Sequence, residues 1–169
     1  ALAYGAKGIL YSCYFTPPAG NGFNGTGLIA PDGTPTERYG QVAHLNAGLA
    51  KLGPALMALT CSGTWRVAVG KEAPASAPVT LSDLAPGADF LVGAFRDKDG
   101  GEAVLVMNYS DSGDDAMATL SFAVSPEQVR EVSKDTGKPE SIADEAVDKD
   151  GLQARFAPGD GRLYLLSGK

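Results

Sequence analysis

The chain has 169 residues, enough for one ordinary domain or for a small domain with part of another. Hydrophobic residues make up 44% and charged residues 20%, which excludes wholesale disorder. The net charge of −6, with Lys and Arg scattered, argues against a nucleic-acid groove or an anionic membrane surface as partner, and no run reaches the roughly 20 apolar residues of a membrane-spanning helix.

Ala1-Leu2-Ala3-Tyr4-Gly5 reads as the last turn of a helix whose earlier turns are missing, with Gly5 as its terminator. Residues 8–15 are apolar with almost no alternation and stop at Pro17-Pro18, the pattern of a parallel strand buried on both faces. Residues 19–33 are rich in Gly and Asn and predict a loop longer than most strand-to-helix connections. Thr34-Pro35-Thr36-Glu37 predicts a helix start, with Thr34 as cap, Pro35 in the first position and Glu37 completing a capping box. Val42, Leu45, Leu49 and Leu52 then recur at helical spacing, and Gly53-Pro54 is expected to end the helix. A parallel strand of this kind needs neighbours on both sides, and this chain offers none.

A different regime begins near Thr64. Short β-rich runs at 64–69, 90–96, 102–109, 117–124, 129–134, 152–157 and 162–166 are separated by turn residues, the spacing of an antiparallel sandwich. Leu152, Ala154 and Phe156 should face the core while Gln153 and Arg155 face water, and Leu120, Phe122 and Val124 repeat the pattern. Residues 72–78, rich in Ala and Pro, read as a connection. The expected fold is mainly β: an antiparallel β-sandwich over 64–169, preceded over 1–63 by the last β/α unit of a TIM barrel. Cys13 and Cys61 lack metal-ligand spacing and read as buried free thiols.

The order of several short motifs resembles a known family. Ala3-Tyr4-Gly5-Ala6-Lys7-Gly8-Ile9, Gly27-Leu28-Ile29, Asp32-Gly33-Thr34-Pro35-Thr36, Tyr39, Asn46 and Leu52-Gly53-Pro54 are similar to the end of a (β/α)₈-barrel retaining glycoside hydrolase of the β-galactosidase type. Phe90-Leu91-Val92-Gly93, Asn108, residues 129–137 and the segment from Pro158 to Leu163 look like the accessory sandwich behind such barrels. The resemblance implies that the paired catalytic carboxylates lie at the ends of the fourth and seventh barrel strands, both before Ala1. No catalytic residue is therefore expected in this chain, and the rest of the barrel, from the same protein or another chain, is the implied partner. Carbohydrate is the implied ligand. Because barrel enzymes bind substrate at the C-terminal ends of their strands, the resemblance assigns substrate contacts to Tyr14, Phe15 and, in the following loop, Asn21.

Other strings carry less. Residues 20–25 match G-x-G-x-x-G, but a dinucleotide loop opens directly into a helix, and here the helix waits until Thr34. Asp97-Lys98-Asp99-Gly100 and Asp148-Lys149-Asp150-Gly151 resemble parts of a calcium loop, with Gly two places early, and are better read as hairpin turns. His44, the only histidine, has no ligand pattern around it, so neither a metal nor another cofactor is expected. Asn24 and Asn108 begin glycosylation sequons. Trp65 is expected to pack between the two parts of the chain. Tyr109 and Tyr164 are candidate exposed aromatics for the competing reading, a non-catalytic carbohydrate-binding module.

Overall fold

Residues 89–96 read DFLVGAFR, an apolar run without alternation, and such a strand must be covered on both faces. In a computed structural model of the protein, which describes residues 1–18, 25–110, 113–143 and 151–166 and the backbone of 147–148, it is. Ten strands form two antiparallel sheets among the described residues: β1 (Thr60–Ala68), β2 (Val79–Ser82), β3 (Asp89–Arg96), β4 (Glu102–Asn108), β5 (Ala116–Phe122), β6 (Val129–Val132), β7 (Pro139–Ser141), β8 (Val147–Asp148), β9 (Gly151–Phe156) and β10 (Gly161–Leu166). One sheet has the order β1-β3-β4-β10-β6-β7 and the other β2-β5-β9-β8.

Between the sheets, Phe90, Val92, Val104, Val106 and Tyr164 meet Val79, Leu120, Leu152, Ala154 and Phe156. Phe90 and Phe156 cross edge to face, with ring centroids 5.4 Å apart. The opposite face of the larger sheet carries a second core, in which Leu91, Phe95, Leu105 and Leu163 pack against Leu52 and Leu56 of helix α1 (Glu37–Ala58), the following Leu59, and Ala3. The order is therefore helix layer, six-stranded sheet, four-stranded sheet. The alternation of β9 holds as expected, with Leu152, Ala154 and Phe156 buried and Gln153 and Arg155 exposed. The seven expected runs are all strands, with β1 starting at Thr60 rather than 64.

Four expectations are corrected. Residues 8–15 do not form a strand; only Phe15 makes a parallel bridge, to Ile29. The physical reason is the one that made the segment anomalous: among the described residues no neighbouring strand lies on either side, so Leu10 stays in water at 97% exposure. The helix starts later, at Glu37, with Thr36 in the cap position and no side-chain cap bond, because the Thr34 hydroxyl donates to Asp32 instead (2.7 Å). It also runs through Gly53-Pro54 to Ala58, since Leu56 and Leu59 gain burial against the sheet that outweighs the lost bond at Pro54. Finally, Tyr164 is fully buried: it does face away from Leu163, but both faces of β10 are covered.

The ends of the chain segment 1–59 are pinned to the sandwich. The 3₁₀ turn Leu2–Tyr4 ends at Gly5 in the left-handed region (φ 85°), as a helical turn closed by Gly should, and the buried Ala3 carbonyl accepts from the Thr64 hydroxyl at 3.1 Å. Lys7 donates from Nζ to the Leu56 carbonyl (2.6 Å) and to the Leu59 carbonyl, neutralising the C-terminal end of α1. Lys7→Met should lower stability by about 1 kcal/mol, read as a shift in the urea midpoint at unchanged slope.

Cys13 and Cys61 are both free but only half-buried. The β3–β4 connection is a hairpin turn, as read: Asp97 Oδ1 accepts from the N–H groups of Asp99 and Gly101, both at 2.8 Å, and Gly100 supplies a φ of 87°. Asp148 pairs with Gly151 across the antiparallel β8 and β9, while Lys149 and Asp150 of that expected turn lie outside the described residues.

Candidate functional site

A short backbone weave fixes the two aromatics assigned to substrate contact. The Thr16 N–H donates to the Ile29 carbonyl and the Ile29 N–H to the Tyr14 carbonyl, each at 2.8 Å, which is the Phe15–Ile29 parallel bridge. The return strand segment adds an antiparallel bridge from Ile29 to Pro35, with the Ala30 N–H donating to the Thr34 carbonyl at 2.8 Å. Thr16 and Thr36 lock the crossing. The Thr16 hydroxyl donates to the Ile29 carbonyl (2.8 Å) and accepts from the Gly27 N–H (3.0 Å), while the Thr36 hydroxyl donates to the Gly27 carbonyl (2.9 Å). Gly27 permits the close approach: a Cβ there would sit 2.6 Å from both Phe15 C and Thr16 N.

On this frame Tyr14 and Phe15 are 54% and 63% exposed and lie edge to face, with centroids 5.1 Å apart at 78°. They present an aromatic surface to solvent at the end of the apolar 8–15 segment. Asn21, the third assigned residue, lies outside the described residues, as do Asn24 and most of the G-x-G-x-x-G string. Asp32 completes the loop: hydrogen bonds from the Thr34 hydroxyl and N–H hold its carboxyl below the usual carboxylate range.

The apolar surface continues onto α1. Leu45 is 48% exposed, and its neighbour Leu49 lines an apolar cleft of about 410 Å³ with Ile9, Leu105, Met107 and Pro158. Only the C-terminal half of the helix stripe, Leu52 and Leu56, is seated on the sheet. Tyr11 spans the gap by donating to Asn46 Oδ1 at 2.9 Å. His44 is exposed on the same helix, and among the described residues no cluster of His, Cys, Asp or Glu is grouped to hold a metal.

Several carboxylates of the sandwich are taken up in ion pairs, most of them at the surface. Asp89, Glu102, Asp115, Glu131 and Asp160 pair with Arg66, Arg96, Arg155, Arg162 and Lys134, and Asp99 pairs with Lys98. Asp111 and Asp150 lie outside the described residues. Two further expectations are settled by burial. The Asn108 sequon has its side chain buried, with the two Nδ2 hydrogens shared among three carbonyls, and Trp65 packs against the core between the sheets rather than between sandwich and helix. Tyr109 is exposed as expected, but Arg66 stands over its ring at 4.9 Å.

Compared with protein-family models, curated proteins and solved structures, the chain matches none.

Proposed function

We propose that this chain is the C-terminal part of a retaining glycoside hydrolase, with residues 1–63 completing a (β/α)₈ barrel and the sandwich bracing it. The paired catalytic carboxylates belong to the barrel portion outside these residues. The observation that carries the reading is the exposed 8–15 segment. It has the composition of a strand buried on both faces, yet among the described residues none of its N–H groups donates to another backbone group and Leu10, Tyr14 and Phe15 lie in water. A barrel wall would supply both missing neighbours, and it would also cover the exposed Leu45 side of α1.

In that setting Tyr14 and Phe15 stand at the C-terminal end of a barrel strand, where substrate binds, and Tyr14 packs on a sugar ring. This chain alone should show no turnover of chromogenic galactosides or glucosides, whereas the complete enzyme should. Activity in the isolated chain that is abolished by changing one of its Asp residues contradicts the proposal. Tyr14→Ala in the complete enzyme should lower kcat/KM about tenfold. Unchanged kinetics in a stably folded variant would remove Tyr14 from the substrate site.

A further inference from the structure

We propose a second saccharide-binding site on the sandwich itself, in the cleft between β1 and the 74–78 connection, with Trp65 as its wall. The inference rests on the sandwich alone and is independent of the barrel reading.

Register defines the cleft. Trp65 is opposite Val92 and Gly63 opposite Ala94, and because Val92 belongs to the core between the sheets, all four share the face turned toward the smaller sheet. Arg96, opposite Thr60 and Glu102, ends the same row. The smaller sheet does not extend this far: β2 begins only at Val79, so the segment through Ser76 and Pro78 forms the other wall. What remains is a cleft of about 450 Å³, inside the range of roughly 300–1,000 Å³ typical of small-molecule sites. Its floor is bare at Gly63, where an added Cβ would meet nothing within 4 Å.

The lining selects the ligand. At one end, Arg96 donates to Glu102 at 3.1 Å, so the pair carries no net charge and offers a planar donor beside an acceptor. At the other, the Trp65 indole supplies an apolar face, while its Nε1–H is buried away from the cleft with no acceptor among the described residues. Ser62 and Ser76 add hydroxyls along the sides. An anion is disfavoured by Glu102 and by the chain's net charge of −6, and a purely apolar ligand would strand the ion pair. A neutral polyol with an apolar ring face and vicinal hydroxyls matches the indole face, the Arg96–Glu102 pair and the serine hydroxyls.

Trp65 is the only tryptophan, so its indole N–H gives a single resonance that reports this cleft. The full chain, labelled with ¹⁵N, is titrated with lactose, cellobiose and xylobiose. The proposal expects a saturable shift of the indole resonance and of the Gly63 and Ser76 amides with at least one of them. Gly63→Val, which fills the open floor without a backbone clash and suits a strand, should retain the folded spectrum and weaken binding at least about tenfold. Arg96→Ala should weaken it as well. No saturable indole shift with any of the three sugars, or undiminished binding by folded Gly63→Val, overturns the proposal.

Discussion

Replacing Asn108 by Ala should lower the unfolding free energy by about 3 kcal/mol. The two hydrogens of the Asn108 Nδ2 are shared among the carbonyls of Asp114 (3.1 Å), Phe156 (3.2 Å) and Ala157 (3.3 Å), and its Oδ1 accepts from the Ser110 N–H at 3.0 Å. Asp114 lies just before β5 and Phe156 ends β9, both in the smaller sheet, while Asn108 ends β4 in the larger one. One buried amide therefore ties the two sheets together at one end of the sandwich. Alanine would leave the Phe156 carbonyl and the Ser110 N–H to find other partners. Each net bond contributes about 1 kcal/mol, and a buried group left unpaired costs about 1–3 kcal/mol. Urea unfolding at unchanged slope is the check, and a loss under about 1 kcal/mol would show that the amide is not the tie described.

Gly93→Ala should cost about 2 kcal/mol, and the loss should fall on the attachment of the N-terminal segment. A Cβ at position 93 would lie 2.3 Å from the Ala3 carbonyl oxygen and 2.9 Å from Phe95 Cε2. The Phe95 ring can shift, but the Ala3 backbone cannot without leaving its place against β3 and breaking its bond from Thr64. Leu2 and Ala3 would then lose their burial in the helix-side core. Limited proteolysis should cut the variant within the first ten or so residues far faster than the parent chain. In a variant lacking residues 1–5 the same substitution should be close to neutral, and an undiminished loss there would place the strain elsewhere.

The sandwich was legible wherever one strand face is wet. Gln153 and Arg155 between Leu152, Ala154 and Phe156 leave no other register for β9. Legibility fails where both faces are buried, because alternation then vanishes: Tyr164 read as exposed although α1 covers one side of β10 and the smaller sheet the other. The edge strands β2, β7 and β8 were not expected at all, being two to four residues long and, in β7, opened by a proline. Pro54 misled for a related reason. Local chemistry marks it as a helix end, while the seat of Leu56 and Leu59 on the sheet is a tertiary fact.

The candidate site was legible in part. Tyr14 and Phe15 were singled out by the resemblance to a barrel strand end, and the structure holds both exposed on a bonded frame. The weave through Thr16, Gly27 and Thr36 that fixes them joins residues distant in sequence and has no periodic signature. The Trp65 cleft likewise exists only because β2 begins late and Gly63 falls opposite Ala94, which no local pattern announces.

Amide hydrogen exchange over residues 8–15 tests the central claim most directly, measured in this chain and in the complete gene product. The barrel account predicts fast exchange in the chain alone, where these N–H groups have no backbone acceptors among the described residues, and protection by several orders of magnitude once neighbouring strands pair with them. Equally fast exchange in both would mean that the segment is not a barrel strand, and the account would fall with it.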